Sequence, residues 1–335
     1  MQKVLTITIP SYNVEKYLKQ TLDSFVDEEI LEDIEVLIID DGSKDRTAQI
    51  GKEYEDKYPQ TFRLISKENG GHGSTINRGI EEAKGRYFKV VDGDDWVCTA
   101  DFVKLIKVLK NCKAQYVVTN YYEVNDVTGE KTPVEYKMLS EKEMWSFEEA
   151  GSKKQIAMHA LVIQTSILKE NKIRLDEHCF YVDVEYVLYP IPYVETVQFV
   201  DLYVYMYRLA VTTQSVSIQG YQKHMQNHID VIMHLTDFFE KYAKSGTQGK
   251  VDYIGKRIAQ MVGDQITVFM SFSEQDQEIK KKFIEFDKKL KEKSSEIYQR
   301  SGEESGTLRL FRKTNFKGYK WIARMCKKRN HIGED

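Results

Sequence analysis

"RYFKVVDGDDWV", residues 86–97, decides how this chain is read. An apolar run from Tyr87 to Val91 ends on three aspartates within four positions: Asp92, Asp94 and Asp95. Carboxylates this close repel, and each makes the next harder to ionise. A solvated turn tolerates such a knot. A divalent cation gives it a purpose. Hard oxygen donors suit Mg²⁺ or Mn²⁺, which bind through few carboxylates together with substrate phosphates. The segment thus reads as a buried strand whose working residues sit at its carboxyl end.

The flanking sequence repeats that arrangement. "KVLTITIP", "IEVLIIDD", "FRLISKE" and "AQYVVTNYYEV" are further β-rich runs. Between them lie amphipathic stretches: "NVEKYLKQTLDSFVDE", "SKDRTAQIGKEYEDKY" with Ser43 or Asp45 near its N-cap, "GSTINRGIEEAKG" with Gly85 as its C-cap, and "TADFVKLIKVLKNC". Strand alternating with helix predicts an α/β fold: a Rossmann-like, mostly parallel sheet with helices on both faces. Ligands in such sheets bind beyond the carboxyl ends of the strands. Polar motifs fall there four times: "SYN", "DDGS", "ENGGHGS" and "DGDD". "NGGHGS" lacks the lysine of a phosphate loop and does not match GxGxxG.

The chain has 335 residues, and 49 Lys plus Arg against 52 Asp plus Glu leave a net charge of −3. That balance singles out no partner and argues against nucleic acid. Four scattered cysteines form no CxxC pair, which fits a reducing compartment rather than a disulfide framework. The N-terminus lacks the apolar core of a signal peptide, and no apolar run approaches the ~20 residues of a membrane span. The expectation is a cytoplasmic protein, with any membrane contact peripheral at the inner face. From about residue 220 the spacing turns helical, which predicts a division into 1–215 and a C-terminal helical subdomain, 216–335. Residues 308–331 are rich in Lys, Arg and aromatics and contain no acid. They read either as a basic amphipathic membrane-surface segment or as a helix packed on its own domain.

Taken together, "TITIPSYNVEKYLKQTLDS", "IEVLIIDDGSKDRT" and "ENGGHGSTINRGIEEAKGRYFKVVDGDDWV" resemble the N-terminal half of the inverting family-two glycosyltransferases, which have the GT-A fold. The resemblance spans residues 1 to 100 and fades towards 215. It implies a metal-dependent transferase of the bacterial cell-surface glycan type. Such an enzyme moves a sugar from a nucleotide-sugar donor, a UDP-sugar first, to a hydroxyl of a glycan, glycolipid or glycoprotein acceptor. It implies a nucleotide pocket lined by Pro10, Tyr12, Asn13 and Glu15. Asp41 would meet the base, with Asp40 supporting it, and Asn69, Gly70 and Gly71 would continue the pocket. Asn77 and Arg78 would lie near the diphosphate, Asp92 and Gly93 near the ribose or sugar, and Asp94 with Asp95 at Mn²⁺ or Mg²⁺.

Two departures from the family pattern matter. Arg78 is displaced from the usual arginine position. The acidic pair that ends in the catalytic base is replaced by "CFYVDVEYVL", where aligning the aromatic Tyr186 makes Asp183 the base. Glu185 is the fallback, and otherwise a solvent-facing helix residue. "YMYRLAVTTQSVS" supplies Arg208 as a phosphate contact or as an ion pair that holds a loop. Thr213, Gln214 and Ser215 belong to the same closing stretch. His159 and His178 read as acceptor-side residues. His159 is otherwise a core residue and His178 otherwise a third metal ligand. His224 and His228 read as one structural helix face. The competing functions are a non-catalytic nucleotide-sugar-binding partner and a sugar-phosphate nucleotidylyltransferase, whose Gly-rich basic loop is missing from "IPSYNVEKYL".

Overall fold

Leu5–Ser11 (β1) is buried along its whole length. A strand with no wet face needs partners at both edges and layers above and below. Ile34–Asp40 (β2) runs parallel to it on one side and Tyr87–Val90 (β4) on the other. Phe62–Ser66 (β3) continues parallel beyond β2. Register sets Ser11, Asp40 and Ser66 side by side, so the polar motifs after these strands emerge at one edge.

The computed structural model describes residues 3–136, 139–209 and 217–329. Its chain divides into two compact units, Met1–Val211 and Thr212–Asp335. Residues 213–215 and 330–331, which figure in the sequence reading, lie outside the described residues.

The first unit is one ten-stranded sheet. It is completed by Trp96–Val97 (β5), Tyr116–Asn125 (β6), Lys131–Val134 (β7), Trp145–Ser146 (β8), Leu161–Gln164 (β9) and Thr196–Leu209 (β10). The order is β3-β2-β1-β4-β9-β6-β10-β5, with β7 on β6 and β8 on β10. The long pairings, β3 to β4 and β6 with β10, are parallel; the short additions β5, β7, β8 and β9 are antiparallel. The sheet is therefore mostly parallel, as expected. Its middle is not. β9, from a stretch with no clean periodicity, inserts between β4 and β6.

Helices connect the strands: Leu18–Asp23 (α1), Thr47–Lys57 (α2), His72–Glu82 (α3), Thr99–Asn111 (α4), Phe147–Gly151 (α5), Thr165–Glu170 (α6) and Asp183–Leu188 (α7). The cap expectations shift slightly. Asp45 accepts from Thr47 N at 2.9 Å, but the residue at the α2 boundary is Arg46. Gly85 is not the α3 cap; the helix ends at an extended Ala83. Gly85 is needed for another reason. A Cβ there would sit 2.4 Å from Thr6 N, so only glycine lets the chain cross β1 this closely.

The second unit contains Ile218–Lys223 (α8), Met225–Tyr242 (α9), Gln248–Ser271 (α10), Gln277–Lys293 (α11), Ser295–Glu304 (α12), Gly306–Lys313 (α13) and Tyr319–Arg329 (α14). Its core is aromatic: Phe283 lies 4.9 Å from Phe269, 5.2 Å from Phe311 and 5.1 Å from Phe316. His228 is buried and bonds Gln265 at 2.9 Å, which is the structural role expected of it. Among the described residues no helix is long and apolar enough to cross a membrane. The four cysteines are free thiols.

One ion pair ties α13 to this core. Arg312 reaches Asp287 at 2.9 and 2.7 Å while its guanidinium lies 3.5 Å from the Tyr298 ring. Both side chains are mostly covered, 11% and 8% exposed. Removing one partner strands the other charge. Arg312→Ala is expected to destabilise the second unit by about 3 kcal/mol, read as a shift of its transition in urea titration of the full chain.

Candidate functional site

The acidic loop crosses the end of β1 by way of Gly93, whose N donates to Pro10 O at 3.1 Å. A Cβ on Gly93 would meet that oxygen at 2.9 Å. The close crossing turns Asp95 inward, and it is almost wholly buried. Its Oδ2 accepts from Tyr205 OH at 2.6 Å and its Oδ1 from Arg208 N at 2.7 Å. Burial pushes its pKa well above the carboxylate range, and Asp94 and Asp92 push it further. Asp92 sits at the mouth. Its side chain keeps 23% of its surface, yet Oδ1 is sealed and has no hydrogen-bond partner. Burial raises its pKa to about 6; His72, 3.7 Å away, opposes this, and Asp94 and Asp183 add to it. The Asp94 carboxyl is also raised by burial, with Arg208 and His72 pulling back.

His159 approaches the same point. It comes from the short turn before β9 and is boxed by Tyr207 at 4.0 Å, Tyr205 at 4.9 Å and Tyr121 at 5.4 Å. Burial and the neighbouring Lys89 bring its pKa down to about 3, so the ring is neutral and able to ligate. Its Nδ1 is buried without a partner. Lys89 itself is fully buried on β4, brought down to about 7 by burial, and donates to His159 O at 2.7 Å. Asp92, Asp95 and His159 each offer one ligating atom, all within 4.8 Å of one another. Two carboxylates and an imidazole, with two orphaned buried atoms among them, fit a divalent ion. Asp94, expected as a ligand, is not in this triplet, and His159 stands where His178 was considered.

Arg208, expected as a phosphate contact or as an ion pair that holds a loop, is engaged by protein groups. Its guanidinium is sandwiched between the rings of Tyr17 and Trp96, 4.6 Å from each, and pairs with Asp126. Nε donates to Asp94 O at 2.6 Å and one Nη to Gln20 Oε1 at 2.8 Å. Of the two readings, the ion pair that holds the loop is the one observed. The cation steadies the acidic knot from behind.

The residues expected around the nucleotide do converge, but largely by bracing one another. Asp41 is buried, and its carboxylate accepts from Gly70 N at 2.9 Å, Gly71 N at 2.8 Å and Lys67 Nζ at 2.7 Å. Asn69 Nδ2 donates to Asp41 O at 3.0 Å. Asp40 accepts from Ser43 N. Asn13, at φ +53°, accepts from Lys44 N at 2.8 Å, and Glu15 accepts from Arg46 N at 2.8 Å. Pro10 is buried in β1, whereas Tyr12 just beyond it is 50% exposed.

Asn77, expected near the diphosphate, is buried and clasps a distant loop: Nδ2 donates to Leu175 O at 2.9 Å and Glu177 Oε1 at 3.1 Å, and Oδ1 accepts from Leu175 N at 2.9 Å. Arg78 pairs with Glu82 on the outside. Gly73 lies so close to the loop that a Cβ would stand 2.0 Å from Asp176 O, and His178 N donates to Gly70 O at 2.5 Å. Beyond the clasp, His178 and Tyr181 adopt left-handed backbone, φ +53° and +69°, which delivers Asp183 to the start of α7. Asp183 is near enough to Asp92 to raise its pKa. Glu185 does not face solvent. It is fully buried, accepts from Asp176 N at 2.8 Å and Tyr189 OH at 3.1 Å, and burial lifts it to about 7. The sequence carries one signal of the clasp, an Asn77 set among Gly70, Gly71, Gly73 and Gly79.

The sequence profile of glycosyl transferase family 2 matches residues 6–169. The uncharacterized glycosyltransferase EpsJ of Bacillus subtilis is 35% identical over 123 residues, 37% of this chain and 35% of EpsJ. Glycosyltransferase GlyA of Streptococcus pneumoniae is 35% identical over 126 residues, 37% of this chain and 18% of GlyA. The minor teichoic acid biosynthesis protein GgaB of B. subtilis is 36% identical over 102 residues, 30% of this chain and 11% of GgaB. The matched stretch thus spans about a third or less of these curated relatives. Among solved structures, S. aureus TarS 1-349 in complex with UDP-GlcNAc aligns with a TM-score of 0.65 over 97% of this chain and 92% of that one, at 15% identity. The mannosyltransferase PcManGT of Pyrobaculum calidifontis, in complex with GDP-Man and Mn²⁺, aligns with a TM-score of 0.53 over 97% and 87%, at 13% identity. These likenesses show the GT-A fold.

Asn77→Ala removes three bonds and leaves buried backbone groups of Leu175 unpaired. A loss of about 2 kcal/mol is expected, measured as a lowered midpoint of thermal or urea unfolding.

Proposed function

We propose, from the match of residues 6–169 to the model of glycosyl transferase family 2, that this chain moves a sugar from a UDP-sugar to an acceptor hydroxyl with inversion. The single observation that supports it best is the triplet Asp92, Asp95 and His159 after β4, whose ligating atoms lie within 4.8 Å of one another, with Asp183 following a loop clasped by the glycine-rich segment. In an in-line displacement the acceptor oxygen attacks the anomeric carbon opposite the departing diphosphate. Asp183 would take the hydroxyl proton as that bond forms. No acid is required on the leaving group, unlike the paired carboxylates of glycosidases. Asp92, Asp95 and His159 would hold Mn²⁺ or Mg²⁺, which when bound offsets the charge gathering on the diphosphate.

Around the donor, the half-exposed Tyr12 offers a face for the base. Asp41 acts by ordering the 69–71 backbone against which the nucleotide lies. All these residues fall in the first unit, so we assign donor binding and proton transfer to it. The acceptor is proposed to be a cell-surface glycan or its lipid-linked precursor, since one relative carries teichoic acid biosynthesis in its name. A nucleotide-sugar donor and four free thiols favour a cytoplasmic reaction.

Release of UDP from UDP-sugars, with Mn²⁺ and with EDTA, tests the reading; activity indifferent to EDTA defeats the metal role. Asp183→Asn should lower kcat roughly 10²–10⁴-fold while donor binding by calorimetry persists, and product NMR should show the inverted anomer.

A pH effect follows from Asp92. Its folded pKa, about 6, lies above its ordinary 3.8, so the folded state binds a proton the unfolded state has lost. Without metal, stability therefore falls as pH rises through roughly 4 to 6. Metal must displace that proton and the one burial holds on Asp95, so Mn²⁺ affinity should climb with pH through about 6 and go on rising above it. Calorimetric titration across and above that range checks the slope, and an affinity independent of pH would overturn it.

A further inference from the structure

Residues 306–329 contain nine Lys or Arg and no acid. The structure separates their larger apolar side chains, with Leu310 partly covered. Leu308, Phe311, Phe316, Tyr319 and Ile322 are buried. Phe311 lies 5.2 Å from Phe283 and 5.5 Å from Tyr319. The apolar face that the sequence offered to a membrane is therefore mostly spent on the second unit's own core. Trp321 and Met325 are not. They remain 65% and 41% exposed, and four residues apart on α14 they share one face.

Cations frame that face. Lys320 and Arg324 are exposed one position before each, and Lys317 is exposed in the turn that leads into the helix. The nearby acids are engaged elsewhere. Glu274 pairs with Arg324 at 3.2 Å and Lys327 at 3.7 Å, and Asp276 caps α11 through Glu278 N and Ile279 N. Among the described residues no acid pairs with Lys317 or Lys320, and the Lys320 ammonium bonds only the neutral Gln275.

We propose that this face docks on an anionic lipid bilayer, with Trp321 and Met325 entering the headgroup boundary and Lys317, Lys320 and Arg324 facing acidic headgroups. An indole suits that boundary, because one edge is polar and the body is apolar. Basic residues around an apolar insertion are what holds a peripheral helix on acidic lipid. A second copy fits poorly, since a two-fold contact would set the same cations against each other. Nucleic acid would use the cations but gives the Met thioether and the body of the indole no apolar phase to enter. The inference does not depend on which sugar is moved, so its failure would leave the transfer reading standing.

The test is co-sedimentation of the full chain with phosphatidylcholine vesicles and with vesicles that also contain phosphatidylglycerol. Binding is expected only with the acidic lipid, and it should be released by high salt. Trp321→Ala with Met325→Ala should weaken it at least tenfold, and Lys317→Glu with Lys320→Glu should do the same. Brominated acyl chains should quench wild-type tryptophan fluorescence and lose that effect in the Trp321→Ala protein. All four side chains are exposed, and unchanged circular dichroism checks that the variants fold. Failure to bind acidic vesicles, or equal binding by the Trp321/Met325 variant, overturns the proposal. So does a vesicle-free dimer, or RNA binding of equal strength, that the same substitutions abolish.

Discussion

The site depends on the buried carboxylate of Asp95. A carboxyl this deep resists ionisation, because burial penalises charge and two more aspartates stand beside it. It is tolerable because both its oxygens are used. Tyr205 OH and Arg208 N arrive from a single strand, β10, more than a hundred residues away. The same Tyr205 OH accepts from Asp92 N at 3.2 Å, and Thr21 Oγ1 donates to Gly93 O and Asp95 O. Helix α1, strand β1 and strand β10 thus converge on one loop. Loosen Asp95 and the mouth residue Asp92 loses its footing.

Positive charge is placed around this knot rather than in it. Arg208 covers its back, held between two aromatic faces and an aspartate. Lys89 lies on the strand that leads into the loop, its pKa brought down to about 7 by burial, and donates to the backbone carbonyls of His159 and Leu161. Neither cation reaches the sealed Asp92 Oδ1, which lies 3.7 Å from His72 Nε2 but has no hydrogen-bond partner, and His159 Nδ1 has none either. A fold that neutralised its acids internally would leave nothing for a ligand to do. Here the two orphaned atoms belong to residues whose ligating atoms lie within 4.8 Å of one another.

The opposite wall is built by close backbone approach. Gly71, Gly73 and Asn77 press the start of α3 onto residues 175–178, and that contact presents Asp183. The glycines were legible in the sequence as a loop that lets something come close. What came close was another loop of the same chain. Asn77 and Arg208 share one lesson: polar side chains near a ligand site satisfy buried protein partners as readily as ligand atoms, and sequence spacing does not separate the two.

By itself the sequence determined the strand and helix alternation, the parallel core of β1 to β4, and the gathering of four polar motifs at one edge. These follow from local periodicity and from the register that buried strands impose. The "VVDGDDWV" stretch announced that charge would collect at the end of β4. Only the tertiary structure decided which aspartate is sealed, which faces outward, and which histidine joins them. It also decided that β9 enters between β4 and β6, and that the basic C-terminal stretch buries most of its larger apolar side chains and leaves Trp321 and Met325 exposed. Those outcomes are set by contacts between residues far apart in the chain, where steric fit and hydrogen-bond satisfaction leave no local signature.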